Sequence, residues 1–148
     1  MSPRGELLNQ QKIVEIARKD NMILLCGRYE GIDERIIEEY NIQEISLGDF
    51  ILSGGEIAAL ALIDACVRLI PGVINNSETL KWESFSMAGE ASSLLEYPHY
   101  TRPAEWRGKS VPAILTSGNH AKIKNWRLAE AEKITRKKRP DLWAIYNK

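Results

Sequence analysis

Two glycine-rich stretches hold the residue types that could do chemistry. They are CGRYEGIDER, from Cys26 to Arg35, and SLGDFILSGGE, from Ser46 to Glu56. Each follows a short apolar run of strand character and brings glycines and carboxylates to its end. Glycine has no side chain to hold a ligand off, so two such turns at neighbouring strand ends let main chain close around a small molecule. A polyphosphate fits poorly. Gly54-Gly55 is followed by Glu56, where a phosphate-binding loop needs Lys and then Ser or Thr, and the GxGxxG fingerprint is absent. Glu30, Asp33, Glu34, Asp49 and Glu56 line the turns with negative charge, which repels phosphate and suits ribose hydroxyls and cations.

An adenosine ligand with a positive centre and no phosphate meets these conditions, and S-adenosylmethionine is such a ligand. The plainer alternative makes these glycines turn and helix-cap residues only.

The elements that must position the turns are legible from periodicity. Gln10 to Asp20 has helical spacing, with Ile13, Val14, Ile16 and Ala17 on one side. Asn21 breaks it, and Met22 to Cys26 reads as a buried strand. Gly31 to Tyr40 reads as a short helix with Ile32, Ile36 and Ile37 inward. Ile42 to Leu47 and Asp49 to Leu52 read as two extended pieces parted by Gly48. Gly55 to Leu69 is the strongest helix, apolar on most sides, expected to lie buried against a sheet and to end at Pro71-Gly72. Asn75 to Gly118 is irregular, rich in Ser, Gly and Pro with scattered aromatics. Ala121 to Lys138 reads as an amphipathic helix with Ile123, Trp126, Leu128, Ala131 and Ile134 as its apolar part. Asn119 or Ser117 caps it, Pro140 ends it, and Leu142 to Tyr146 forms a last turn.

Composition sets the outer bounds. The chain has 148 residues, 44% hydrophobic and 27% charged, which suits one globular domain or a small domain with an appendage. No apolar run is long enough to span a bilayer, and MSPRGELLNQ lacks the apolar core of a signal peptide. A cytoplasmic protein without a membrane partner is expected, with Cys26 and Cys66 as small buried hydrophobes in a reducing compartment. The zero net charge hides an asymmetry. Residues 1–100 carry −8 and residues 101–148 carry +8. A basic block of this kind is the usual footprint of a nucleic-acid partner, against the alternative of a solvated helix face.

The segments SPRG, CGRYEGIDER, SLGDFILSGGE, RLIPGV, ESF, LLEYPHYTRP and SGNHAKIKNWR, in this order, closely resemble the bacterial tRNA (guanine-N(1))-methyltransferases. The resemblance covers nearly the whole chain. It implies an α/β trefoil-knotted fold of the SPOUT superfamily, here partial, with a small C-terminal helical domain. The knot loops of that family hold S-adenosylmethionine mainly through backbone. The matching positions are Pro3, Gly5, Gly27, Tyr29, Glu30, Ser46, Leu47, Gly48, Phe50, Leu52, Gly54 and Gly55. Residues 1–75 then form the later part of the knotted domain, 76–109 a linker with the catalytic loop, and 110–148 a tRNA-binding domain. A homodimer is implied, each site combining the donor pocket of one subunit with residues of the other.

The implied reaction methylates ring nitrogen 1 of the guanosine at tRNA position 37. That nitrogen carries a proton and is a poor nucleophile, so a base must take the proton while a cation steadies charge on the carbonyl oxygen. The family's pattern puts the carboxylate at Glu83 and the arginine at Arg68. It also places Arg102 in a linker in reach of RNA or the partner subunit, Asn119 and His120 facing the anticodon stem, and Lys122, Lys124 and Arg127 as phosphate contacts. His99 and His120 lack metal-like spacing. Trp126 reads as core before base-stacking platform.

The chain departs from the pattern at several points. Glu83 stands where Asp is usual, Phe50 where Tyr is common and Ala58 where Pro is frequent, and Ser86 to Ser93 is longer than usual. Ser2-Pro3-Arg4-Gly5 reads as a turn with no strand before it. Roughly the first third of the family's length is expected to be missing, and 148 residues alone are expected to transfer methyl groups weakly or not at all. Two alternatives stand beside the main reading: a knotted methyltransferase with another RNA target, and a non-catalytic remnant that binds RNA or cofactor.

Overall fold

The computed structural model describes residues 1–75, 80, 82–85 and 92–147. The chain divides into two compact units, Met1–Asn75 and Asn76–Lys148.

The first unit is mixed α/β. Strand β1 (Glu6–Leu7) runs parallel to β2 (Ile45–Ser46), pairing Glu6 with Ile45 and Leu7 with Ser46. Helix α1 (Gln10–Ala17) starts where Asn9 Oδ1 accepts the Lys12 N–H, satisfying one of the donors a helix start leaves open. It turns Ile13 and Ile16 inward against Leu62 and Cys66 of α3 (Glu56–Val67), and Ile45 completes this core. Leu62 is fully buried, a burial that contributes about 1.5–3 kcal/mol. Helix α2 (Glu34–Glu39) is capped by Asp33, which accepts the Arg35 N–H.

Five expectations fail here. Met22 to Cys26 pairs with no strand among the described residues, Ile23 is 92% exposed and Cys26 is exposed too; only Leu24 reaches the core. An apolar run becomes a buried strand only when neighbours satisfy its backbone on both sides. Cys66 is buried as expected. Helix α3 forms where the spacing puts it, but it buries only Ala58, Ala59, Leu62 and Cys66, and Ile57, Leu60, Ile63 and Val67 stay exposed. It packs on α1, whose eight residues cover one side of it. Ile36 of α2 is likewise exposed, and Asp49 to Leu52 forms bends, not a strand.

Among its described residues the second unit has two α-helices, α4 (His120–Lys138) and α5 (Pro140–Tyr146). Asn119 Oδ1 accepts the Lys122 N–H at 3.1 Å and caps α4. Pro140 ends α4 and opens α5, where a missing N–H costs nothing at a first helical position. Tyr146 Oη donates to Glu132 Oε1 and ties the helices together. Arg139 holds the Asp141 carboxyl down to about 2. A short 3-10 helix, Ala113–Thr116, precedes α4. Inside the segment read as irregular lies a hairpin, β3 (Glu105–Trp106) with β4 (Lys109–Ser110). Residues 86–91, most of the Ser86 to Ser93 stretch, lie outside the described residues.

Thr135 is the hidden joint of this unit. It is fully buried on α4; its Oγ1 donates to Ala131 O at 2.7 Å and accepts the Leu95 N–H at 2.8 Å. Beside it Leu94 is almost fully buried. Glu96 N–H donates to Ser84 Oγ at 2.9 Å, and Phe85 N–H to Leu94 O. Helix α4 thus holds residues 94–96, which in turn hold 84–85. Thr135→Val keeps the shape and strands the Leu95 N–H, at an expected cost of about 1–3 kcal/mol. Thr135→Ser keeps the hydroxyl and should recover part of the loss. Urea unfolding of both variants checks this, and a Val variant as stable as the parent removes the joint.

Candidate functional site

The two glycine turns are brought together. Gly55 N–H donates to Gly27 O at 3.0 Å, and Arg28 bridges to Gly54 in an antiparallel pair. A Cβ on Gly55 would sit 2.9 Å from Cys26 Cα, so only glycine allows the two backbones this close. Ser46 Oγ donates to Gly48 O and accepts the Gly48 N–H, folding the start of the second turn onto itself.

Both turns open into one cavity of about 340 Å³, within the range of small-ligand pockets. Every position expected to hold the donor lines it except Gly5. Gly5 has a different task, because a Cβ there would lie 2.3 Å from Glu44 C and Ile45 N. It lets the first loop meet the strand that carries Ser46. Tyr29 stands at the cavity with its ring exposed and its backbone at φ +58°, a left-handed conformation rare for a bulky residue. Leu25, Ile32, Ile37, Ile42, Ile51 and Ala58 give the cavity apolar walls.

Its charge differs from the expected acidic rim. Arg4 and Arg28 also line the cavity, with Glu30 and Glu44 opposing them. Arg28 Nε donates to Glu56 Oε1 at 2.8 Å, and Arg4 bridges Glu34 at 2.7 Å and Glu44 at 3.1 Å. The Ser2 hydroxyl, then Arg4, hold the Glu44 carboxyl below its usual range. Glu56 is held down by its own backbone N–H and by Arg28, and Asp33 by Arg35. Three of the five carboxylates read as a negative rim, Asp33, Glu34 and Glu56, are therefore paired, and of the five only Glu30 lines the cavity. Charge alone does not exclude phosphate. The sequence signal for this pairing was the arginine inside each motif, SPRG and CGR.

The proposed catalytic pair lies in separate units. Arg68 caps the C-terminal end of α3. Glu83 is half-buried in the second unit, in a narrow cleft with Trp82, Leu94, Glu96, Tyr97, Arg127 and Leu128.

The basic residues of α4 divide into two groups. Lys124 Nζ lies 5.8 Å from the centre of the Trp82 ring, and the Arg127 guanidinium 4.7 Å from that of Tyr97. Arg127 Nε is buried without a hydrogen-bond partner among the described residues. These two brace the segment that carries Glu83. His120, Lys122 and Arg102 are exposed, and Asn119 spends its carbonyl oxygen on the cap. Trp126 is half-buried and packs near Tyr100, in keeping with a core role. Among the described residues no helix is long and apolar enough to cross a membrane.

A cavity walled largely by backbone beside a parallel strand pair makes the first unit an α/β unit with a well-formed pocket at its glycine turns. The family model for tRNA (Guanine-1)-methyltransferase TrmD matches residues 1–145, and the chain belongs to that family. It is 57% identical over 146 residues to the tRNA (guanine-N(1)-)-methyltransferase of Ruegeria sp. (strain TM1040), covering 99% of this chain and 58% of the relative. The proteins of the same name from Rhodospirillum rubrum and Brucella ovis are 55% and 56% identical, covering 99% and 100% of this chain and 59% of each relative. The chain thus spans less than two thirds of the length of the curated relatives it matches.

Proposed function

We propose that this protein methylates ring nitrogen 1 of the guanosine at tRNA position 37, with S-adenosylmethionine as donor. The observation that carries the reading is the single cavity into which both family motifs open, walled by main chain at Gly27, Gly48, Gly54 and Gly55. Membership of the family, not charge, selects the donor. When bound, the donor supplies a methyl group on a positively charged sulfur. Gly27, Tyr29, Glu30, Ser46, Leu47, Gly48, Phe50, Leu52, Gly54, Gly55 and Pro3 would hold it, with Glu30 suited to ribose hydroxyls. Gly5 supports the loop from behind.

Glu83 acts as the base that removes the guanine proton, and Arg68 steadies charge on the carbonyl oxygen. The knotted topology, the division of labour between residues 1–75, 76–109 and 110–148, and the homodimer belong to the same proposal. The exposed stripe Ile57, Leu60, Ile63 and Val67 on α3 supports a partner subunit, since helical apolar faces of that kind are normally covered. Arg102, Asn119, His120, Lys122, Lys124 and Arg127 serve the RNA, with Lys124 and Arg127 acting through the Trp82–Tyr97 segment they brace.

Transfer of labelled methyl to tRNA transcripts tests the reading. A transcript with guanosine at position 37 should be methylated and one with adenosine there should not. Labelling of both overturns it, and so does labelling of neither when calorimetric titration also shows no binding of S-adenosylmethionine; these 148 residues are expected to turn over slowly at best.

A further inference from the structure

We propose that the β3–β4 hairpin is a second RNA contact, in which the stacked Trp106–Arg107 pair receives an unpaired base and Lys109 the neighbouring phosphate. The inference rests on the tRNA reading above but involves none of the residues assigned there. Trp106 and Lys109 face each other across the ladder, so their side chains stand on one face; Glu105 and Ser110 pair on the opposite face. The two residues of the turn, Arg107 and Gly108, have φ of +50° and +73°, the signature of a type I′ turn. Such turns favour Asn, Asp or Gly, so arginine at the first central position is conformationally costly.

That conformation brings the Arg107 guanidinium over the Trp106 ring, 4.9 Å from its centre. Trp106 is nonetheless 57% exposed. A large aromatic left open with a flat cation on it, and a lysine beside it, is the combination that binds single-stranded nucleic acid through stacking and charge. Arg107 and Lys109 form no ion pair among the described residues, so nothing there already neutralises them. A protein partner fits less well, because the buried centre of such interfaces is depleted in lysine. The net +8 of residues 101–148 favours the same polyanion.

Binding of the full chain to a tRNA transcript, measured across a salt series, tests the platform. Trp106→Ala should weaken binding by about tenfold and Trp106→Phe should restore most of it. Arg107→Ala with Lys109→Ala should lower the slope of log K against log salt by about 1 to 2. The hairpin is exposed, so none of these should move the thermal melt, and a melt check separates misfolding from lost contact. Unchanged affinity in Trp106→Ala, or equal loss with Ala and Phe, overturns the platform. A Trp106→Ala variant that alters self-association but not RNA affinity also overturns it and assigns the surface to protein. If guanosine and adenosine transcripts are methylated alike while Trp106→Ala still weakens binding, the methylation reading fails and the platform stands.

Discussion

Replacing Glu83 with Gln should slow methyl transfer to guanosine by about two to four powers of ten, with affinity for the donor held within about twofold. Glutamine matches glutamate in size and cannot accept a proton, so the substitution tests the proposed base at nearly constant shape. The position is prepared for such a task. Phe85 N–H donates to Leu94 O, and Ser84 Oγ accepts the Glu96 N–H, so the backbone on the C-terminal side of Glu83 is docked. Trp82 on its other side carries Lys124 over its ring. Glu83 is thus a half-buried carboxylate whose neighbours on both sides are held in place.

Glu83→Asp, which keeps the carboxylate on a side chain one methylene shorter, should keep turnover within about tenfold of the parent. The comparison is therefore between a variant that neutralises the side chain, which should lose most of kcat, and one that only shortens it, which should keep most of it. Single-turnover rates together with donor titration measure it. Turnover of the Gln variant equal to that of the parent would remove Glu83 from the mechanism.

The parts of the molecule set by local pattern were legible in the sequence. Asn119 was readable as a cap because its side chain needs only the next turn of α4. The glycine turns were readable as partners because a close backbone approach such as that of Gly55 to Cys26 needs glycine, and the two turns do meet at one cavity. What depended on distant partners was not legible. Strand β1 is two residues long, and its only mark is a parallel partner some 40 positions away. The run Met22 to Cys26 has a strand's composition but no ladder among the described residues, because periodicity reports what a segment could bury, not what covers it. Nothing in the sequence singles out Thr135, and its role becomes visible only with the Leu95 N–H in place. The carboxylate rim was misjudged for the same reason. Glu34 and Glu56 meet Arg4 and Arg28 from 30 and 28 positions away, a neutralisation that no local count of charges contains.

Gly5→Ala should be the most disruptive single-methyl change in the first unit, costing about 2–3 kcal/mol and weakening donor binding at least about tenfold. The added Cβ would meet main-chain atoms, Glu44 C and Ile45 N at 2.3 Å and Glu44 O at 2.5 Å. Backbone cannot swing aside as a side chain can, so the two segments must part. The bonds lost first are Ser2 N–H to Ile45 O and Glu6 N–H to Glu44 O, which flank the pairing of β1 with β2. Ile45 belongs to the core and Ser46 to the cavity, so one displacement weakens both packing and pocket. Gly72→Ala provides the contrast. Gly72 sits at φ +88° with nothing within 4 Å of the added carbon, so the change strains its own backbone by about 1 kcal/mol and should leave donor binding untouched. Urea unfolding and calorimetric titration with S-adenosylmethionine on both variants separate the two effects. If Gly5→Ala unfolds with the parent's midpoint and binds the donor as the parent does, the strand contact at Glu44 and Ile45 is not what shapes the pocket.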